Sequence, residues 1–205
     1  MSAGSQFFTP GPYHILSYGT LLGTQVFHVS ISVLFQSSRL FALGSNECSR
    51  PQTFINATAA FKTLERPQFA VLQRALFPAY FGMQTILPVA MALTYPGGLI
   101  ATGGINGALL DEANRWNVTV PLVTMFVTGL VNWVYCLPVT NSITAKRRAQ
   151  EKKDGKQSWD PAPHSQEMQS LNKQFGKIHG ISSLLNLVTL IATITYGFNL
   201  SSRII

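Results

Sequence analysis

Residues 178–202, IHGISSLLNLVTLIATITYGFNLSS, run for 25 positions without an Asp, Glu, Lys or Arg. About 20 apolar residues, each rising about 1.5 Å, carry a helix across the hydrocarbon core of a bilayer, so this stretch is long enough to cross one. Its polar residues are ordered rather than scattered. His179, Ser182, Asn186, Thr189 and Thr193 follow steps of three and four, the spacing that holds side chains on one helix face. Leu184, Leu185, Val188, Ile191 and Ile194 fall on the other face and suit lipid. A surface helix of a soluble protein would put charges on that outer face.

Three more charge-free runs precede it: Tyr13–Gln36, Ala75–Leu110 and Asn117–Ala145. Charged residues make up 11% of the 205-residue chain, against roughly 25% in soluble globular domains. The sequence therefore predicts an all-α, multi-pass membrane protein. Its expected form is a four-helix transmembrane bundle in a single domain, 1–205, with spans near 13–35, 76–95, 118–137 and 179–200. Tyr95-Pro96-Gly97-Gly98 should stop the second span, and Pro138 should follow the end of the third. Pro88 should kink the second rather than end it, because neighbouring helices can satisfy the freed carbonyl.

The first and third connections hold 13 of the 15 Lys and Arg residues, leaving only Arg115 and Arg203 on the other side. Basic loops stay in the cytoplasm, so both connections are expected there and both termini opposite. The N-terminus lacks the basic start of a secretory signal, and the first 38 residues contain no Arg for a mitochondrial presequence. Asn117-Val-Thr119 and Asn199-Leu-Ser201 match glycosylation acceptors, but they lie at span ends.

Lys146–Lys177 reads as the one substantial soluble segment, with a mobile charged part. Its Lys146–Lys156 run is a candidate contact for anionic lipid or a protein partner, weighed against a solvated linker that only fixes topology. Arg66-Pro67-Gln68 looks like a helix start. The helix it opens should lie along the interface and lead into the second span, with Phe77, Tyr80 and Phe81 as interfacial aromatics.

Polar side chains inside the spans are expected to face the bundle interior. The third span offers Thr124, Thr128 and Asn132, the second Gln84 and Thr85, and the first Thr20, Thr24 and His28 with Gln25 beside them. One reading is interhelical hydrogen bonding, about 0.6 kcal/mol per bond, with Gly19, Gly23 and Gly129 allowing close approach. The other is a polar path or pocket for a small solute or ion, with His28 and His179 as proton-sensitive members. No carboxylate lies inside the spans to carry protons or cations. No CxxC, HExxH, GxSxG or phosphate loop occurs, and Cys48 and Cys136 lack metal-ligand spacing. No catalytic, cofactor or metal site is assigned. The net charge of +7 follows topology, without the aromatic-basic module of a nucleic-acid binder.

Three stretches carry a family resemblance: LSYGTLLGTQVF, LERPQFAVLQRALFPAYFGMQ and FGKIHGISSLLNL. With Pro138–Thr140 they resemble the transmembrane protein 205-like family. The resemblance implies a four-span membrane protein of poorly defined biochemistry, in secretory-pathway, vesicular or plasma membrane. Animal members are associated with resistance to platinum drugs. By motif it marks Gln25, Pro67, Phe69, Gln73, Phe77, Pro78, Tyr80, Phe81, His179, Gly180, Ser182, Ser183 and Asn186.

Val29–Gln52 departs from that pattern. Removing these 24 residues joins His28 to Thr53 in an uninterrupted family-like helix. Val-Ser can be encoded by GTAAGT, Pro-Gln by CCACAG and Ser45-Asn46 by TCTAAC, the start, end and branch point of a fungal-type intron. The segment is either an intron translated in frame or a lineage-specific insertion. Genomic sequence and transcript reads across the two junctions distinguish them. The expected function is non-enzymatic, in transport or trafficking of small solutes or metal complexes. The alternatives are a structural or adaptor bundle and, third, an intramembrane enzyme using His179 and Asn186. A homo-oligomer is compatible with any of these.

Overall fold

Glu65 holds extended backbone, and its N–H donates to Gln68 Oε1 at 3.3 Å. With Pro67 in the first turn, this starts a helix at Arg66. The computed structural model describes residues 13–25, 63–95 and 111–202. Residues 13–25 are helical and form α1; the rest of the expected first span, with His28 and Val29–Gln52, lies outside the described residues. α2 runs Arg66–Thr94 without a break through Pro78 and Pro88. The segment expected along the interface is the first turns of that same helix.

α3 extends over Glu112–Asp154, 43 residues, and does not stop before Pro138. The reason is local. A proline lacks the N–H for the i→i−4 bond, and its ring crowds the preceding turn. Before Pro121 and again before Pro138 the helix widens to i→i−5 bonding, over Arg115–Thr119 and Asn132–Cys136. Val120 N–H donates to Arg115 O, and Leu137 N–H to Asn132 O. Each wide turn accommodates the proline after it, and the helix continues.

The connection to α4 is correspondingly short. α3 ends at Gly155 in the left-handed region, φ 60°. α4, Gln166–Ser201, begins at Ser165, whose Oγ accepts from Met168 N–H at 3.2 Å. The segment expected to be mobile is therefore mostly two helix ends. What lies between is tied down. Ser158 N–H donates to Glu151 Oε1 at 3.0 Å, Ser165 Oγ to Asp154 Oδ2 at 2.6 Å, and Lys156 Nζ to Pro163 O at 3.0 Å.

Cross-contacts define the packing. Gly82 faces Trp133 and Gly129 faces Gln84, so α2 and α3 are antiparallel. Thr128 meets Thr189 and Asn132 meets Asn186, so α3 and α4 are antiparallel too. One core cluster holds Leu21, Met91, Tyr95, Val118, Leu122, Met125, Ala192 and Tyr196, with all four helices represented. A second holds Cys136, Ile143 and Ile178, with Val139, Phe175 and Leu185 against it. Leu185 thus packs inward, unlike the lipid-facing position expected for it, whereas Leu184, Val188, Ile191 and Ile194 are exposed. Arg66 lies 5.6 Å from the Trp159 ring, so the start of α2 and the α3–α4 connection share one end of the molecule. α2, α3 and α4 are each long and apolar enough to cross a membrane.

Candidate functional site

Asn186 of α4 is where three helices meet. Its Oδ1 accepts from Gln84 Nε2 of α2 at 3.2 Å and from Asn132 Nδ2 of α3 at 3.2 Å. The Tyr80 hydroxyl stands 3.4 Å from the same oxygen and 3.2 Å from Gln25 Oε1 of α1. A phenol has one proton, so the nearer Gln25 is its better acceptor and the contact to Asn186 is the weaker one. Gln25, Gln84 and Asn132 are fully buried, and Asn186 is 3% exposed.

The sequence aims these groups together by helical phase. Tyr80 and Gln84 are one turn apart on α2. Asn132 opens the wide turn of α3, and Thr128 one turn earlier bonds Thr189 at 2.7 Å. Thr193 donates to Thr189 O at 2.8 Å, with Met125 Sδ 3.2 Å away as a weaker acceptor. Within this layer four amide atoms have no hydrogen-bond partner among the described residues: Gln25 Nε2, Gln84 Oε1, Asn132 Oδ1 and Asn186 Nδ2. Buried polar groups are normally paired, so these atoms are an unspent recognition capacity. Turning any one of Gln84, Asn132 or Asn186 by 180° would set like ends together, so their orientations are coupled.

A second polar group joins the opposite end of α1 to α2 and α4. His14 is 1% exposed, with Nδ1 3.3 Å from Thr94 Oγ1 and Nε2 against the Tyr196 hydroxyl. Thr94 gives its own proton to Ala90 O at 2.7 Å. The imidazole also hydrogen-bonds the Met91 backbone, so its two nitrogens serve three groups on α2 and α4. The Tyr95 and Tyr196 rings flank the imidazole at 5.7 and 5.8 Å.

The expected inward face of α1 is rotated. Thr20 is exposed and bonds Leu16 O at 2.9 Å, while half-buried Thr24 bonds Leu21 O at 2.7 Å. A threonine hydroxyl can satisfy itself on its own helix, so neither needs the interior. His14, Tyr18, Leu21 and Gln25 form the inward face instead. Gly19 and Gly23 have open space around them, whereas a Cβ on Gly129 would press on the Gln84 backbone. Tyr80 and Phe81 are buried inside, in edge contact at 5.0 Å, rather than at an interface. Phe77 is half-buried and stacks on Phe81 at 5.9 Å.

Phe69 is buried, Gln73 half-buried, and Pro67, Pro78 and Gly180 exposed. Half-buried His179 stacks on Phe175 at 5.8 Å, with Arg147 4.5 Å over the other ring. It lies two turns from Asn186, and Ser182 and Ser183 are half-buried between them. Sequence reasoning missed His14 and the inward role of the Tyr80 phenol. The spacing 14, 18, 21, 25 was the available signal for the first.

Three apolar helices around an uncharged polar layer define an integral membrane protein of the all-helical class. Residues 48–149 match a domain of unknown function, DUF4149. The chain is also 31% identical over 194 residues, 95% of its length and 90% of the relative, to the xanthocillin biosynthesis cluster protein D of Aspergillus fumigatus. It belongs to the family of that fungal protein. No solved structure matches it.

Proposed function

We propose that this protein is a non-enzymatic carrier or trafficking factor for small solutes or metal complexes, working within the bilayer as a four-span bundle. Residues near 13–35 supply the first span, and the protein belongs among transmembrane protein 205-like proteins. The observation that carries the reading is the amide layer: four fully or nearly buried Asn and Gln side chains keep unpaired donors and acceptors inside apolar helices. Polar residues at membrane depth are costly and tend to mark pathways. The relative's name ties it to a small-molecule biosynthesis cluster, and this chain would serve a comparable small product. The basic connections face the cytoplasm by the positive-inside rule. Uptake and efflux in vesicles reconstituted with wild type and with Asn186→Ala test the proposal. Flux equal to empty vesicles across a broad solute panel sinks it.

A second reading has its own observation. Lys146, Arg148, Lys152 and Lys153 are exposed on the rigid end of α3. That end suits an adaptor contact with anionic lipid or a protein partner. Co-sedimentation with anionic against neutral vesicles, using charge-neutralised variants, tests it.

A further inference from the structure

The unpaired atoms of the amide layer are of two kinds. Gln84 Oε1 and Asn132 Oδ1 are acceptors lacking a donor, and Gln25 Nε2 and Asn186 Nδ2 are donors lacking an acceptor. A cation would satisfy the first pair and face the wrong end of the second. An anion would do the reverse. Neither would meet a neutralising charge, because Asn117–Ala145 and Ile178–Ser202 contain no Asp, Glu, Lys or Arg. A neutral molecule carrying a donor and an acceptor satisfies both kinds at once.

There is also room beside the layer. A pocket of about 320 Å³ lies between α1 and α2, lined by Thr20, Gly23, Leu76, Ala79, Tyr80 and Met83. It shares the apolar part of Tyr80 with the layer, and the hydroxyl of the same residue turns away toward Gln25 and Asn186. Its walls are almost wholly apolar, which suits a solute that partitions in from the bilayer rather than a hydrated ion.

We infer that the layer formed by Gln25, Tyr80, Gln84, Asn132 and Asn186 is a binding site for a small neutral solute bearing both a hydrogen-bond donor and an acceptor, of the carboxamide or urea kind, and that it rejects ions. This deepens the solute-handling reading and rests on it.

The test uses the full chain in lipid nanodiscs with ¹⁵N-labelled Asn and Gln side chains, titrated separately with acetamide, potassium chloride and sodium acetate. Acetamide is expected to shift the side-chain NH₂ resonances of Gln25, Gln84, Asn132 and Asn186 saturably, and to leave exposed Gln68 and Gln166 unmoved. The two salts should move none of them. Asn132→Leu should weaken acetamide binding by about tenfold, the scale of one lost hydrogen bond. No saturable shift with acetamide, or a saturable shift with potassium chloride, overturns the inference. Acetamide binding with vesicle flux no greater than background would remove the transport reading and leave this site. Flux without any NH₂ shift would remove the site and leave transport.

Discussion

A Cβ on Gly129 of α3 would stand 3.0 Å from the carbonyl carbon and oxygen of Gln84 in α2, and 3.1 Å from Thr85 Oγ1. Backbone atoms cannot swing aside as a flexible side chain does, so the two helices must separate. Gly129→Ala is expected to lower stability by about 1–3 kcal/mol, the usual cost of overpacking. Thermal unfolding in detergent measures it, with Gly180→Ala as control, since Gly180 has open space around its Cβ position. Equal midpoints for the two variants would refute the close crossing.

Asn186 gathers the layer, and its loss should be felt by its partners. Asn186→Leu strands the donors of Gln84 and Asn132, at about 1–3 kcal/mol for each buried group left unpaired. Thermal unfolding in detergent measures the loss, and a midpoint equal to that of wild type would contradict the bonding of Asn186 to its neighbours.

Thr128 and Thr189 are 2.7 Å apart, yet each also lies near a backbone carbonyl of its own helix, Thr124 O at 2.7 Å and Leu185 O at 2.9 Å. With Met125 O also 3.2 Å from Thr128, two protons serve four contacts, so the interhelical bond is one option among several. A double-mutant cycle of Thr128→Val and Thr189→Val should give a coupling of about 0.6 kcal/mol, the average for such bonds in membranes. A coupling several times larger would mean that the pair clamps α3 to α4.

His14 clasps α1 to the ends of α2 and α4. Tyr196→Phe removes the hydroxyl beside Nε2, and His14→Ala removes that contact together with those to Thr94 and the Met91 backbone. Amide hydrogen exchange over residues 13–25 should quicken in both variants, more in the second, with α3 unchanged. Unaltered exchange there would show that the apolar contacts of Tyr18 and Leu21 suffice.

The charge-free runs made the long helices legible, because a helix in lipid has no polar face on which to carry charges. The phase of Asn132, Asn186, Thr189 and Thr193 was legible for the same reason: their burial follows from spacing alone. Helix ends were not. Pro138 looks like a stop, and only the wide turn from Asn132 to Cys136 shows how a proline is absorbed. Thr20 and Thr24 misled because a hydroxyl can bond the preceding turn, which removes the need to face inward. Tyr80 was misjudged because an amphipathic ring suits an interface as well as a polar interior. Spacing cannot separate those settings.

The wide turn at Asn132–Cys136 also has a mechanical consequence. Leu137–Asp154 beyond it is 18 residues of α-helix, about 27 Å long at 1.5 Å per residue. Ile143, Ile178 and Phe175 bind this arm to the start of α4, so the pair behaves as one strut. A change of about 10° in the bend at the turn would sweep the Gly155 end through about 5 Å, given that length. Asn132 sits at the pivot. The amide layer therefore lies at the short end of a lever, and the basic surface around Lys152 rides on the long one.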